Sequence, residues 1–183
     1  GAHMLALAWG RDSREVVPDE AARSIGAEET FAEDIAEAEL LEARLLEIAE
    51  RLGRRLRRAG VAGHTVTLKI KYADFQLISR SRTFETPTDL TRELWEAARA
   101  LLREKVDLSR PVRLAGIQVS HLLGAGDRQA DLFEPEVRRK EARLERGVDA
   151  IREKFGRGAV VRATLLEREA EDEDVQKIDR REE

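Results

Sequence analysis

The chain has 183 residues, 42% of them hydrophobic and 38% charged, with a formal net charge of −4. Such a length holds one compact domain with extensions, or two small ones, and excludes a large multidomain enzyme; no run reaches the roughly 20 apolar residues of a membrane helix. The absence of cysteine excludes a disulfide framework and a cysteine-bound zinc site and fits a reducing compartment such as the cytoplasm, while an acidic total, taken alone, argues against nucleic acid as a partner.

Gly1, Ala2, His3 and Met4 read as the scar of a cleaved tag. Residues 24–31 predict a short strand, closed by a helix start at Glu33 and Asp34. Ile35, Ala38, Leu41, Leu45, Ile48, Leu52 and Leu56 then recur at threes and fours, which predicts a long amphipathic helix over 35–59 with one buried stripe. Arg54, Arg55, Arg57 and Arg58 crowd its last turns, where cations complement the carbonyl end of the helix dipole, and Gly60 suits the left-handed position that follows.

Over 65–72, Val66, Leu68, Ile70 and Tyr72 alternate with Thr65, Thr67, Lys69 and Lys71, the period of a strand with one buried face. A short connection at 73–75 leads into 76–84, read as the second arm of a hairpin with Ile78, Arg80 and Arg82 on one face. Thr86, Pro87 and Thr88 supply a cap and a first-turn proline for a second helix carried by Leu90, Leu94, Ala97, Ala98, Leu101 and Leu102. Residues 112–122 read as a further strand whose apolar phase shifts across Gly116, which predicts a bulge there.

The order β, α, β, β, α, β is the split βαβ arrangement, an α+β fold with a four-stranded antiparallel sheet and both helices on one face. The other face stays open. The hairpin offers Lys69, Lys71, Arg80 and Arg82 against Asp74, a local charge of +3, among Ser79, Ser81, Thr65, Thr67 and Thr83, all side chains suited to phosphate.

Past the glycines at 124 and 126, residues 125–135 form a linker in which Gln129, Ala130, Asp131, Leu132 and Phe133 run from polar to apolar. Val137 opens a last helix with Leu144, Val148, Ile151 and Phe155 on one stripe, either a docking face, for the preceding domain or for a partner protein of the chain, or a contact between subunits. Residues 159–165 read as a short strand, so 136–166 form a helix-strand extension. From Leu165 onward nine acids face four bases, so this tail carries −5 and the rest of the chain +1. The acidity therefore belongs to a solvated tail at 167–183. His64 and His121 have no carboxylates at ligand spacing, so no metal site is expected.

Three separated motifs, 24–31, then 65–72 with Asp74 and Phe75, then 79–84, together resemble the C-terminal little finger domain of bacterial DNA polymerase IV enzymes, the Y family of translesion DNA polymerases. The likeness covers about 5–124, with 5–23 similar to the end of the thumb and the tether, and 24–124 to the little finger itself. It implies the same sheet fold and a sequence-independent grip on the DNA backbone by Ser24, Ile25, Gly26 and Thr30 from the first strand and by Ser79, Arg80, Ser81, Arg82 and Thr83 from the hairpin. Lys69 and Lys71 join them on spacing. Gln129, Asp131, Leu132 and Phe133 lie in a peptide similar to the sliding-clamp-binding peptide of such polymerases.

The resemblance further implies partners in DNA, the sliding clamp and the catalytic core of the same polymerase, and none in a membrane. The family's palm domain holds two metal ions, Mg by implication, on an Asp-Glu pair. Nothing here corresponds, because two-metal phosphoryl transfer needs converging carboxylates, so no catalytic residue and no cofactor is expected in this chain. The alternative is a module that chiefly recruits the polymerase to the clamp or another protein, with DNA contact secondary.

Overall fold

A computed structural model describes residues 2–12, 22–124 and 135–165. Its elements are α1 (Ala2–Ala8), β1 (Ser24–Ile35), α2 (Ala38–Arg58), β2 (Val61–Tyr72), β3 (Leu77–Thr88), α3 (Thr91–Lys105), β4 (Val112–Gly124) and α4 (Glu136–Phe155). The strands form one antiparallel sheet in the order β1-β4-β2-β3.

The two periodicities decide which surfaces meet. Leu41, Leu45, Ile48, Leu52 and Leu56 of α2 lie on one side of a 3.6-residue helix, and Val66, Leu68, Ile70 and Tyr72 of β2 on one side of a period-2 strand; all are buried in a single core. Leu94, Ala98, Leu101 and Leu102 of α3 and Ile117 and Val119 of β4 complete it. Truncating any one of these leucines to alanine costs about 2–5 kcal/mol. Both helices pack on the same side, and among the described residues no helix is stacked on the other side of the sheet.

Several element boundaries differ from the sequence expectation. The first strand runs on to Ile35 and α2 begins at Ala38, because Phe31 and Ile35 bury their side chains from an irregular stretch of β1 rather than from a helix. Pro87 does not open α3 but sits near the end of β3. Thr88 is buried and its hydroxyl accepts the N–H of Leu90 at 3.1 Å, a turn that precedes the helix instead of capping it. The bulge in β4 is not at Gly116. Pairing with β2 is regular from Leu114 through Ser120 and slips between Leu114 and Val112, so Arg113 is the extra residue.

The extension also departs from expectation. In place of a strand at 159–165 the chain makes a single 3-10 turn, Arg157–Ala159, and a short helical turn that ends at buried Leu165. The helix α4 lies on the helix layer, against α2 and the start of α3, but with its charged side inward. Arg138 bonds Glu93 at 2.9 Å and the Pro87 carbonyl at 2.8 Å, Arg92 meets Glu141 at 2.8 Å, and Arg152 and Arg162 both reach Glu50. At the centre, Glu145 is only 5% exposed and pairs with Arg57, which also holds Asp149 at 2.6 Å. Burial pushes the Glu145 carboxyl above its ordinary range, against the pull of Arg57 and of the Thr91 hydrogen bonds.

Gly53 makes room for this junction. A Cβ there would lie 2.9 Å from the Thr91 hydroxyl and 3.0 Å from an Arg57 nitrogen, so the roughly 1 kcal/mol that glycine costs inside a helix is offset by a close crossing.

Candidate nucleic-acid interface

The open face follows from strand register. Paired residues in a sheet point to the same side, and the buried set fixes which side is the core. Ser24, Gly26, Glu28 and Thr30 of β1 oppose Ser120, Gln118, Gly116 and Leu114 of β4. Thr65, Thr67, Lys69 and Lys71 of β2 then oppose Ser120, Gln118, Gly116 and Leu114 on one flank and Thr83, Ser81, Ser79 and Leu77 of β3 on the other. Hydroxyls dominate this surface. Thr65 and Thr83 are 3.1 Å apart, Thr67 and Ser81 2.9 Å, and Gln118 donates to Ser24 at 2.6 Å.

One row carries the charge. Glu28, Gly116, Lys69 and Ser79 stand side by side across all four strands, and the Lys69 ammonium reaches over the glycine to Glu28 at 2.7 Å. The bare backbone at Gly116 permits the crossing, since a Cβ there would come within 2.7 Å of the Glu28 Cβ. With Gly26 beside it, the row forms a shallow depression lined by Gly26, Glu28, Lys69, Gly116 and Gln118. At the end of the face the Lys71 ammonium sits 5.0 Å from the Phe75 ring, and Arg113 lies 5.1 Å from the same ring.

The arginines are elsewhere. Arg80 opposes Leu68 and Arg82 opposes Val66, both core residues, so the two guanidinium groups leave β3 on the helix side and not on the open face. The expected +3 on the open face is therefore divided: Lys69 and Lys71 share that face with Glu28, which pairs with Lys69, while Arg80 and Arg82 line the outer edge of the sheet. Among the described residues β3 pairs only with β2, so its other edge has no strand partner there. Arg82 lies 5.7 Å from the Phe84 ring and Arg80 donates to the Ser79 carbonyl at 3.0 Å. A strand of phosphates along β3 would meet Ser79, Ser81 and Thr83 on one side and Arg80 and Arg82 on the other.

Of the remaining sequence candidates, Ser24, Gly26 and Thr30 are on the open face. Ile25 opposes Val119 and packs against the core, so its side chain is turned away from that face. Gln129, Asp131, Leu132 and Phe133 lie outside the described residues. Sequence reasoning missed Glu28 and Gln118, although the alternation from Ser24 and from Gly116 places both on the face.

Residues 22–132 match the impB/mucB/samB family C-terminal domain. The chain belongs to that family. DNA polymerase IV of Desulfatibacillum aliphaticivorans is 38% identical over 168 residues, 91% of this chain and 42% of that protein. That of Caulobacter vibrioides is 39% identical over 166 residues, 91% of this chain and 41% of that protein. The chain thus spans about two fifths of the length of these curated relatives. Among solved structures, a little finger domain of PolIV in complex with the β-clamp processivity factor is 29% identical, covering 60% of this chain and 98% of that one at a TM-score of 0.48. The insertion ternary complex of Dbh DNA polymerase is 18% identical, covers 67% of this chain and 35% of that chain at a TM-score of 0.50, and shares the fold. Among the described residues, no helix is long and apolar enough to cross a membrane.

Proposed function

We propose that this little finger holds the DNA backbone for a translesion polymerase and docks that polymerase on the sliding clamp. The observation that carries the first part is the geometry of β3, the free edge where hydroxyls and arginines alternate on opposite sides of one strand. A phosphate ribbon laid there receives charge-assisted bonds from Arg80 and Arg82 and neutral ones from Ser79, Ser81 and Thr83. The hydroxyls and lysines of the open face extend the contact. Contacts of this kind go to phosphate and sugar and carry no base readout, so the grip is independent of sequence. Carboxylates and their Mg ions for nucleotidyl transfer belong, in this reading, to the palm of the same polymerase, with which the little finger cooperates.

Duplex binding by the whole chain, titrated against salt, tests the grip. Affinity is expected to fall steeply with ionic strength, to be indifferent to sequence, and to drop when Arg80→Ala and Arg82→Ala are combined. Salt-insensitive binding, or an unchanged affinity in the double variant, sinks the proposed edge.

Clamp docking rests on residues 129–133, just past the sheet, where Gln129 with Leu132 and Phe133 would fill pockets on the clamp. Deleting Leu132 and Phe133 is expected to abolish clamp binding, and retained binding moves the site. The alternative, recruitment as the chief role, draws support from α4, which turns apolar side chains outward.

A further inference from the structure

We infer that the outer face of α4 is a second contact for the protein that takes up residues 129–133; the inference rests on the clamp-docking reading above. An amphipathic helix normally buries its apolar stripe. This one does the reverse. Its charged side is held by Glu93, Arg92, Arg57 and Glu50, while Val137, Leu144, Ile151 and Phe155 are 70%, 66%, 42% and 67% exposed along the opposite side. A row of large apolar groups facing water marks a surface that meets a partner. Exposed Arg139, Lys140, Arg143 and Arg146 border it, so the complementary surface is apolar with acidic margins.

Chain length identifies the occupant. From Phe133 to Val137 is four residues, which span at most about 14 Å even when fully extended. Leu144 lies seven residues further along the helix, about 10 Å more. With Leu132 and Phe133 seated in a pocket of the clamp, the first half of α4 is therefore confined to the neighbourhood of that pocket. The little finger already fills one side of the helix. The clamp must stand on the side left open, where Val137 and Leu144 are. A second contact on so short a tether forms at high effective concentration, and even weak apolar burial multiplies the affinity of the peptide. It also fixes the orientation of the domain, because α4 is clasped to α2 and α3 by its other side.

The test is titration of the full chain against the sliding clamp of its own organism. Val137→Ser combined with Leu144→Ser is expected to weaken clamp binding roughly tenfold, with unchanged thermal unfolding and unchanged duplex affinity. Ile151→Ser with Phe155→Ser, further from the seated peptide, is expected to weaken it less. Clamp affinity unaffected by the first pair overturns the inference while leaving the peptide reading intact. So does a self-associated chain that this pair converts to monomer, which would assign the stripe to a second copy. Failure of the unaltered chain to bind the clamp overturns both.

Discussion

The carboxylate of Glu145 on α4 accepts the opening N–H of α3 at Thr91, at 3.0 and 3.2 Å to its two oxygens, and the Thr91 hydroxyl at 3.0 Å. The residue before the helix is Leu90, which has no polar side chain to satisfy that turn. A helix start leaves its first N–H groups without partners inside the helix and carries partial positive charge. Here the missing cap arrives from 54 residues away in sequence, so the extension past residue 135 completes an element of the domain before it.

Replacing Glu145 by alanine therefore has two effects at different places. It uncaps α3, a loss of about 1 kcal/mol in global stability by urea unfolding, and it removes the acid nearest to Arg57 under α4. Hydrogen exchange in α4 is expected to rise well above that in the sheet. Glu145→Gln keeps an acceptor for Thr91 but loses the charge, and its α4 protection should fall between the two. Equal protection of α4 in all three proteins would mean that the surrounding pairs hold the helix without Glu145.

A side chain at Gly116 should disturb stability and the open face together. The Cβ of Gly116→Ala meets the Cβ of Glu28 at 2.7 Å and the Ala27 carbonyl at 3.3 Å. Neither is the free end of a flexible side chain, so strands β1 and β4 must part, at about 1–3 kcal/mol. Urea unfolding of the single variant measures this, and a midpoint equal to that of the unaltered chain would show that the strands give way at no cost.

What the sequence disclosed follows from which interactions are local. The core stripe of α2 and the alternation of β2 repeat within a few residues, so Leu45, Ile48, Leu52, Val66, Leu68 and Ile70 are legible without any partner in view. Ile78, Arg80 and Arg82 do share a side, as their spacing says. That this side is the helix side and not that of Lys69 is decided by register, Leu68 against Arg80, which depends on how the chain turns between Tyr72 and Gln76. The docking of α4 had no local signal. Its ion pairs to the domain join residues 45 to 102 apart, and the apolar stripe, the one strong pattern in the helix, points away from the domain.

The contact between α2 and α3 should show an acid limit. Burial alone would push the Glu42 carboxyl up, but the hydrogen bonds and charges of Arg103 and Arg99 outweigh it and hold the carboxyl below its ordinary value. The carboxylate therefore binds protons more weakly in the folded chain than in the unfolded one. Its stabilising effect is fully present above the unfolded pKa, about 4.3, and fades as pH falls through the lower folded value. Glu42→Gln should lower stability at neutral pH and flatten its decline below about pH 4.3, as urea unfolding across pH would show. A parallel decline in both proteins would assign the acid limb to other carboxylates.

An ion pair on the open face spans Gly116. Lys69 is held by Glu28 at 2.7 Å, and both are substantially exposed, so the pair adds little to stability. Its consequence is electrostatic, because Glu28 puts a negative charge on the surface proposed to receive phosphates and occupies the ammonium that would meet one. Glu28→Gln should leave unfolding within about 0.5 kcal/mol of the unaltered chain. Duplex affinity should rise, and the slope of log K against log salt should steepen by about 0.9, one additional phosphate neutralised. Lys69→Gln should move both quantities the other way. A fall in affinity for Glu28→Gln would mean that the carboxylate positions Lys69 for its phosphate, and the face would then need the pair intact.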